Sequence, residues 1–452
     1  MALSNAFKEQ MKTILGEESN LFFQTVAENQ PPTSIRWNPF KVFSLPENND
    51  TVKWNNDGVY LEERPTFTLD PLFHAGAYYV QEASSMFLAY ALRQINKLSE
   101  PQKVLDLCAA PGGKSTLLSS LLPTDSLLLS NEVIQSRFQI LKENMTKWGA
   151  INSCLSRHDS KDFKELNDFF DLIIVDAPCS GEGLFRKDPK ASDEWSPENV
   201  QLCTGRQKRI LAEAVKMLQA GGTLIYCTCT FNYKENEDNA AWLMNEFGLE
   251  HVSLEIPSDW SIEKRRQGYQ FYPHRVKGEG FYIACLQKPG TPTPAPKKKK
   301  HQKTSALNLL SKKQAAILQN WVKSDQELSF SINQKFRVYA FYKSHKEWIE
   351  KLSASLYHLV PGLHIGDLKN DKFIPAHGLA MSQIAHPDIP NVVMEKQQAL
   401  HYLKKEVPPI DTIPKDWAIV QYKGVNLGWI KGLKNRYNNY YPKEWRIRMR
   451  IE

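Results

Sequence analysis

Apolar residues follow two rhythms along the 452-residue chain. Short continuous runs at 104–107, 127–130, 172–175, 223–226 and 281–286 read as strands buried on both faces. Between them a helical spacing recurs: at 134–148, where Ile134, Phe138, Leu141, Met145 and Trp148 share a face, then at 197–218 and 235–246. Strand and helix in alternation predict an α/β fold built on a doubly wound parallel sheet. Carboxyl ends of strands line the ligand crevice in that architecture, so Asp106, Glu132, Asp159 and Asp176 are expected to converge there.

Outside the alternation the pattern changes. Residues 5–28 predict one or two short amphipathic helices with Phe7, Met11, Ile14 and Leu15 on one face. Strand-like pieces follow from Ser34, including 58–61, and the chain turns helical after Gly76–Ser85 as far as about Ile95. Residues 289–305 hold Pro289, Pro292, Pro294, Pro296 and Lys297–Lys300, the composition of an extended, solvated linker. Beyond it, 306–323 reads as helix and later segments as short strands carrying Phe336, Tyr339, Trp417, Tyr422 and Trp429. Four units result: an accessory domain at 1–97, the alternating domain at 98–288, the linker at 289–305 and a C-terminal region at 306–452.

Charge is divided unevenly between these units. From Pro289 onward 27 Lys and Arg face 13 Asp and Glu, whereas residues 1–288 carry 30 against 37. A basic third on an acidic remainder suits a polyanion-binding module, and equally a tail kept for solubility. In 431–450, Arg436, Lys443, Arg446 and Arg448 are interleaved with Tyr437, Tyr440, Tyr441 and Trp445. Such a mixture fits phosphates and stacked bases, or a basic sheet edge whose rings are core.

The seven cysteines, at 108, 154, 179, 203, 227, 229 and 285, include no CxxC pair. Free thiols in a reducing cytoplasm are expected, with no structural metal. No stretch reaches the roughly 18 consecutive apolar residues of a membrane span, and the N-terminus lacks a signal-peptide core.

The stretch Val104–Thr116 is a strand, a Pro111-Gly112-Gly113 turn and a helix start, which lets a ligand lie against bare backbone. A phosphate-binding P-loop needs glycine where Cys108 stands, and the G-x-G-x-x-G dinucleotide pattern is absent. Glu132, twenty positions past Gly112 at the end of the next run, suits a ribose diol. An adenosine cofactor without a pyrophosphate fits best, and S-adenosylmethionine leads.

Two stretches carry reactive groups: Asp176-Ala177-Pro178-Cys179-Ser180-Gly181-Glu182-Gly183 and Tyr226-Cys227-Thr228-Cys229-Thr230. Cys179 and Cys229 each stand where a strand runs out into the crevice. A thiol has a use in methyl transfer when the acceptor is C5 of a pyrimidine, which is not nucleophilic in the intact ring. Thiolate addition at C6 makes C5 an enamine carbon, and an acid near N3, a task for Asp176, offsets the charge that builds.

These motifs, with Cys108–Lys114, Tyr79–Ser85, Pro273-His274-Arg275 and Gly278–Phe281, resemble the signatures of the Sun/Nol family of RNA cytosine-C5 methyltransferases, in the family's order from about residue 30 to 288. Val360–Gly366, Gly428-Trp429 and Tyr441-Pro442-Lys443 are similar to the C-terminal region of the family's bacterial small-subunit rRNA enzymes. The resemblance implies a Rossmann-like S-adenosylmethionine-dependent core with a small N-terminal accessory domain and a C-terminal α+β, PUA-like RNA-binding region. It also implies Cys229 as nucleophile, Cys179 in product release, and Asp176 and Lys114 on the target cytosine. Cofactor contacts fall to Cys108, Ala109, Ala110, Pro111, Gly112, Gly113, Lys114, Glu132, Asp159 and Asp176. Cys227 stands where the family commonly has serine, two residues before Cys229, and is expected to be inert. The expected partner is small-subunit ribosomal RNA or the assembling subunit, acted on by a monomer with no membrane attachment. Transfer RNA and a non-RNA acceptor are the alternatives.

Overall fold

The computed structural model describes residues 3–28, 30–41, 50–95, 98–291, 307–323 and 327–451. The greater part of the 289–305 linker therefore lies outside the described residues.

The apolar runs form one sheet. Its parallel centre has the order Leu218–Thr228, Phe170–Asp176, Lys103–Asp106, Leu127–Asn131 and Ser153–Ser156. Val104, Leu105, Leu128 and Ile173–Val175 are fully buried, as a strand covered on both faces requires. From Lys103–Asp106 the chain moves outward through 127–131 to 153–156, then returns to the other side at 170–176. The order reverses between 103–106 and 170–176, where Asp106 lies opposite Ile174, and that is where a crevice opens. The helices Gly113–Leu121, Gln135–Trp148, Pro197–Met217 and Glu237–Phe247 match the helical patterns to within a residue or two.

The sheet departs from a purely parallel one at both edges. Phe281–Gln287 runs antiparallel to Leu218–Thr228: after the helix Glu237–Phe247 the chain enters through Tyr269–Phe271, and an antiparallel return from that strand reverses its direction. At the far edge Leu359–Val360, from the basic C-terminal region, pairs antiparallel with Ser156 and Leu155.

The N-terminal helices Asn5–Leu15 and Ser19–Glu28 form as expected, with Phe7 and Met11 buried against Phe185 and Trp195 of the central domain. A four-stranded sheet follows, joining 51–52, 55–61, 33–37 and 78–80. The C-terminal region holds two further four-stranded sheets, 328–332/337–342/363–369/372–375 and 391–393/417–422/425–432/437–439. The helix expected over 306–323 is reduced to Lys312–Ala316 and a 3-10 turn at Ile317–Asn320. Leu307, Leu318 and Val322 are buried there without a continuous apolar stripe between them.

Beyond that edge strand, further contacts fasten the C-terminal region to the rest. Leu400, Ala418 and Leu427 share a core with Ile35, Trp37 and Tyr78 of the N-terminal sheet. His345 meets the Thr124 carbonyl at 3.1 Å, and Gln383 Nε2 donates to the Phe40 carbonyl at 3.0 Å. Tyr437 and Tyr441 are buried and Trp445 packs partly buried against the same core, so three of the four rings of the 431–450 stretch serve packing; Tyr440 is the exposed ring. Among the described residues no helix is long and apolar enough to cross a membrane.

Candidate active site

The glycine turn is braced from three sides. Gly112 has φ of +115°, a left-handed value that favours glycine. Asn144 Nδ2 donates to the Pro111 carbonyl at 2.8 Å and Arg137 Nη2 to the Ala110 carbonyl at 2.7 Å. From the N-terminal sheet the buried Arg36 donates to Thr116 Oγ1 at 2.6 Å and to Gln81 Oε1 at 2.7 Å, its guanidinium 4.5 Å from the Trp148 ring centroid.

Two cavities adjoin over this turn and share Cys108, Arg137 and Pro178. The first, about 460 Å³, is lined by Cys108–Pro111, Gly113, Lys114, Asp106, Asp176, Cys179 and Cys229. The second, about 430 Å³, is lined by Glu132, Ile134, His158, Asp159, Arg206 and Arg209. The four strand-end carboxylates thus divide two and two: Asp106 and Asp176 on one side, Glu132 and Asp159 on the other. Glu132 accepts from the Ile134 N–H at 2.9 Å and faces Arg137 at 3.4 Å. Asp159 caps the turn that follows it, accepting from the Lys161 N–H at 3.2 Å, and stays partly exposed.

Asp106 is fully buried, with Oδ2 accepting from Ser115 Oγ at 2.6 Å and Oδ1 lacking any partner among the described residues. Burial pushes its carboxyl up to about 7. An orphaned carboxylate oxygen beneath a glycine turn, with a second carboxylate across a shared wall, fits a cofactor that brings a cation and a ribose diol. Asp106, Glu132, Asp159 and the Cys108–Lys114 backbone are the groups that would hold it.

Lys114 and Asp176 form an ion pair at 2.8 Å, the ammonium buried and 5.0 Å from the Phe281 ring centroid. Burial works most strongly against the ammonium, but Asp176, together with Cys227 and Asp106, holds Lys114 above the usual lysine range. Register brings the two reactive stretches together, since Asp176 lies opposite Cys227 on the neighbouring parallel strand. The chains then diverge into loops bonded by Ala177 N–H to Cys227 O at 2.9 Å and Gly183 N–H to Cys229 O at 2.8 Å. A Cβ at Gly183 would stand 2.6 Å from Gly280 O and 2.9 Å from Cys229 O, so only glycine allows this approach. Cys179 Sγ and Cys229 Sγ lie 3.0 Å apart, and the Cys229 N–H points at Cys179 Sγ at 3.4 Å. The contact with Cys229, reinforced by burial, pushes the Cys179 thiol up. Cys227 is fully buried in the core beneath the sheet and its thiol is likewise pushed up, by burial first.

Several residues in the site escaped the sequence reading. Arg36 was signalled only by a charge inside the Ser34–Trp37 strand. Arg137, Arg206 and Arg209 sit on helix faces that look solvated in isolation. Glu182 and Glu235 bind loops from a distance of about fifty residues along the chain. A broader groove of about 1140 Å³, holding Arg64, Lys187 and Lys277, runs beside the first cavity and shares Val80, Gln81, Glu82 and Lys187 with it.

Known proteins match this chain in the same order as its sheets. Family models match residues 3–83 (N-terminal domain of 16S rRNA methyltransferase RsmF), 93–287 (16S rRNA methyltransferase RsmB/F) and 390–447 (methyltransferase RsmF PUA domain). Ribosomal RNA small subunit methyltransferase F of Aliivibrio fischeri is 33% identical over 412 residues, covering 87% of this chain and 85% of its own. The protein of the same name from Escherichia coli O157:H7 is 29% identical over 414 residues, with 87% and 84% covered. A solved methyltransferase homolog from Pyrococcus horikoshii is 27% identical at a TM-score of 0.54, over 63% of this chain and 95% of its own. NSun6 of Pyrococcus horikoshii, solved with SFG, shares the fold at a TM-score of 0.53 and 20% identity, over 64% and 99%. With a glycine turn at the switch point of its sheet and a relative matched along most of both chains, this chain belongs to the family of small-subunit rRNA methyltransferases F, S-adenosylmethionine-dependent RNA methyltransferases.

Proposed function

We propose that the protein methylates C5 of a cytosine in 16S rRNA through a transient bond between Cys229 and C6 of the base. The observation that carries the reading is the pair of sulfur atoms 3.0 Å apart in the same cavity as the Lys114–Asp176 pair. An enzyme methylating oxygen or nitrogen needs neither thiol. When bound, S-adenosylmethionine supplies a methyl group on a sulfonium, open to attack by a carbon nucleophile.

The target base leaves its stack to enter the cavity. Cys229 attacks C6 as the thiolate, and electron density moves through the ring toward N3. Asp176 passes a proton to N3, drawn from the Lys114 ammonium bonded to it, which offsets that charge. C5 is then an enamine carbon and takes the methyl group. Loss of the C5 proton to solvent water, with the N3 proton returning through Asp176 to Lys114, lets the electron pair of the C5–H bond re-form the C5–C6 double bond and expel the Cys229 sulfur. Cys179, its thiol pushed up, lies in position to protonate that departing sulfur.

In this reading residues 98–288 carry the chemistry, residues 1–97 brace the cofactor turn through Arg36, and the basic C-terminal region holds the RNA. A monomer acting in the cytoplasm, on rRNA or the assembling small subunit, fits that division.

Bisulfite sequencing of rRNA from cells with and without the protein tests the reaction. Purified Cys229→Ala is expected to lose methylation and keep cofactor binding, and Cys179→Ala to accumulate a protein–RNA adduct stable to denaturing gels. Methylation by Cys229→Ala, or no adduct with Cys179→Ala, would overturn the assignment.

A further inference from the structure

The loops that carry the two sulfur atoms each bear a buried carboxylate, and each carboxylate is bound by the other loop. Glu182 lies three residues past Cys179. It accepts from Thr230 Oγ1 at 2.6 Å, from the Phe231 and Asn232 N–H groups at 2.8 and 3.1 Å, and from Asn232 Nδ2 at 2.9 Å, all in the Cys229 loop. Glu235 lies six residues past Cys229. It accepts from the Ser180 N–H at 3.0 Å and from the Ser180 hydroxyl, in the Cys179 loop. Asn232 Nδ2 joins the halves, reaching Glu182 Oε1 at 2.9 Å and Glu235 Oε1 at 2.8 Å. Remaining acceptor positions are filled from farther away: Trp195 Nε1 and Gln10 Nε2 on Glu182, Gln207 Nε2 on Glu235. Glu182, Asn232 and Glu235 are 2%, 3% and 0% exposed.

Packing alone does not call for this arrangement. Two like charges placed close together in a protein interior are costly unless donors surround them. Here ten hydrogen bonds from donors on three loops and two helices do so, and most of the donors flank a thiol. A short, charge-assisted cross-linkage of this kind fixes one loop against the other far more narrowly than apolar contact does. Its geometric product is the distance between the sulfurs.

We infer that Glu182 and Glu235 are positioning residues: by binding reciprocally across the two loops they hold Cys179 against Cys229, so that both sulfurs act on one base. The inference rests on the proposed thiol chemistry for its purpose, though the lock itself can be measured without RNA. Gln10, on the N-terminal helix, extends the lock to the accessory domain.

The test uses the full chain and two readouts. The first is the rate at which diamide, a two-electron oxidant, joins Cys179 and Cys229 as a disulfide, taking up the two thiol protons, followed by peptide mapping. The second is kcat and KM for rRNA methylation. Glu182→Gln and Glu235→Gln are expected to slow disulfide capture and lower kcat by about a hundredfold, since displacements near 1 Å are that costly, with the cofactor KM unchanged. Asn232→Asp places a third acceptor between the two carboxylates and is expected to be worse than either. Adding Glu235→Gln to it swaps donor for acceptor and is expected to recover about tenfold, a coupling of the size seen between bonded neighbours. Thr230→Val, which removes one donor, serves where a glutamine variant does not fold. Folded variants with undiminished capture and kcat would overturn the inference, as would a double variant no better than Asn232→Asp. Slowed capture in a protein that methylates no cytosine would leave the lock standing and bring down the proposed function instead.

Discussion

Lys114 Nζ and Asp176 Oδ2, 2.8 Å apart, join the first turn of the helix that follows Lys103–Asp106 to the end of the neighbouring strand, Phe170–Asp176, which comes three strands later in the sequence. The pair spans the floor of the cavity between the glycine turn and the thiols, and the two groups are expected to work as one.

Lys114→Met is therefore expected to lower kcat by about 10²–10³, the range for removing one preorganised charge from a reacting centre. Asp176→Asn should do the same, and the double variant should lose little more than either single one. Steady-state methylation kinetics check this, and losses that multiply would show two separate roles.

Asp106 makes a prediction about pH. Its carboxyl, pushed up to about 7 by burial, binds a proton more tightly folded than unfolded, where about 3.9 is normal. Folding takes up a proton between those values, so this group's contribution to stability falls as pH rises from about 4 to about 7, then levels off. Cofactor-free Asp106→Asn is expected to gain Tm relative to the unaltered protein across that interval. Thermal melts at several pH values measure the gap, which should widen with rising pH; a constant gap would contradict the assignment.

Cys227 should be dispensable for chemistry. It is fully buried two residues before the proposed nucleophile, and it is absent from the lining of the cavity. Cys227→Ala is expected to retain methylation and form no RNA adduct, at a stability cost of about 1 kcal/mol for the lost buried group. Denaturant unfolding and gel analysis check both halves.

Gly183→Ala tests how closely the loops approach. The added Cβ meets two backbone oxygens, Gly280 O and Cys229 O, at 2.6 and 2.9 Å. Overpacking of this kind costs about 1–3 kcal/mol, and here one of the two atoms met belongs to Cys229, the proposed nucleophile. Activity is expected to fall further than the drop in Tm accounts for; full activity would mean that the loop moves freely.

The catalytic domain was legible in the sequence because its signals are local. The run Val104–Leu107 stops at a Pro-Gly-Gly turn, and Asp176-Ala177-Pro178-Cys179 follows an unbroken apolar strand, so strand end and chemistry are neighbours in the chain. What escaped depends on partners far apart. Glu182 reads as one more turn residue until Thr230 and Asn232 are folded onto it. Arg36 reads as a fault in a strand until Thr116 and Trp148 surround it. The aromatics near the C-terminus could be base platforms or core from composition alone, and only tertiary packing buries Tyr437 and Tyr441 while leaving Tyr440 outside. The helix expected over 306–323 fails for a related reason, since local propensity did not survive without an apolar stripe to bury.

The strand Leu359–Val360 at the margin of the central sheet has a consequence for truncated proteins. Ser153–Ser156 would otherwise present a row of unclaimed amide and carbonyl groups beside an apolar interior, a ready template for another chain. A catalytic fragment ending near residue 288 would bare that ladder, and self-association in solution, rather than a clean loss of RNA affinity, is the behaviour to anticipate from it.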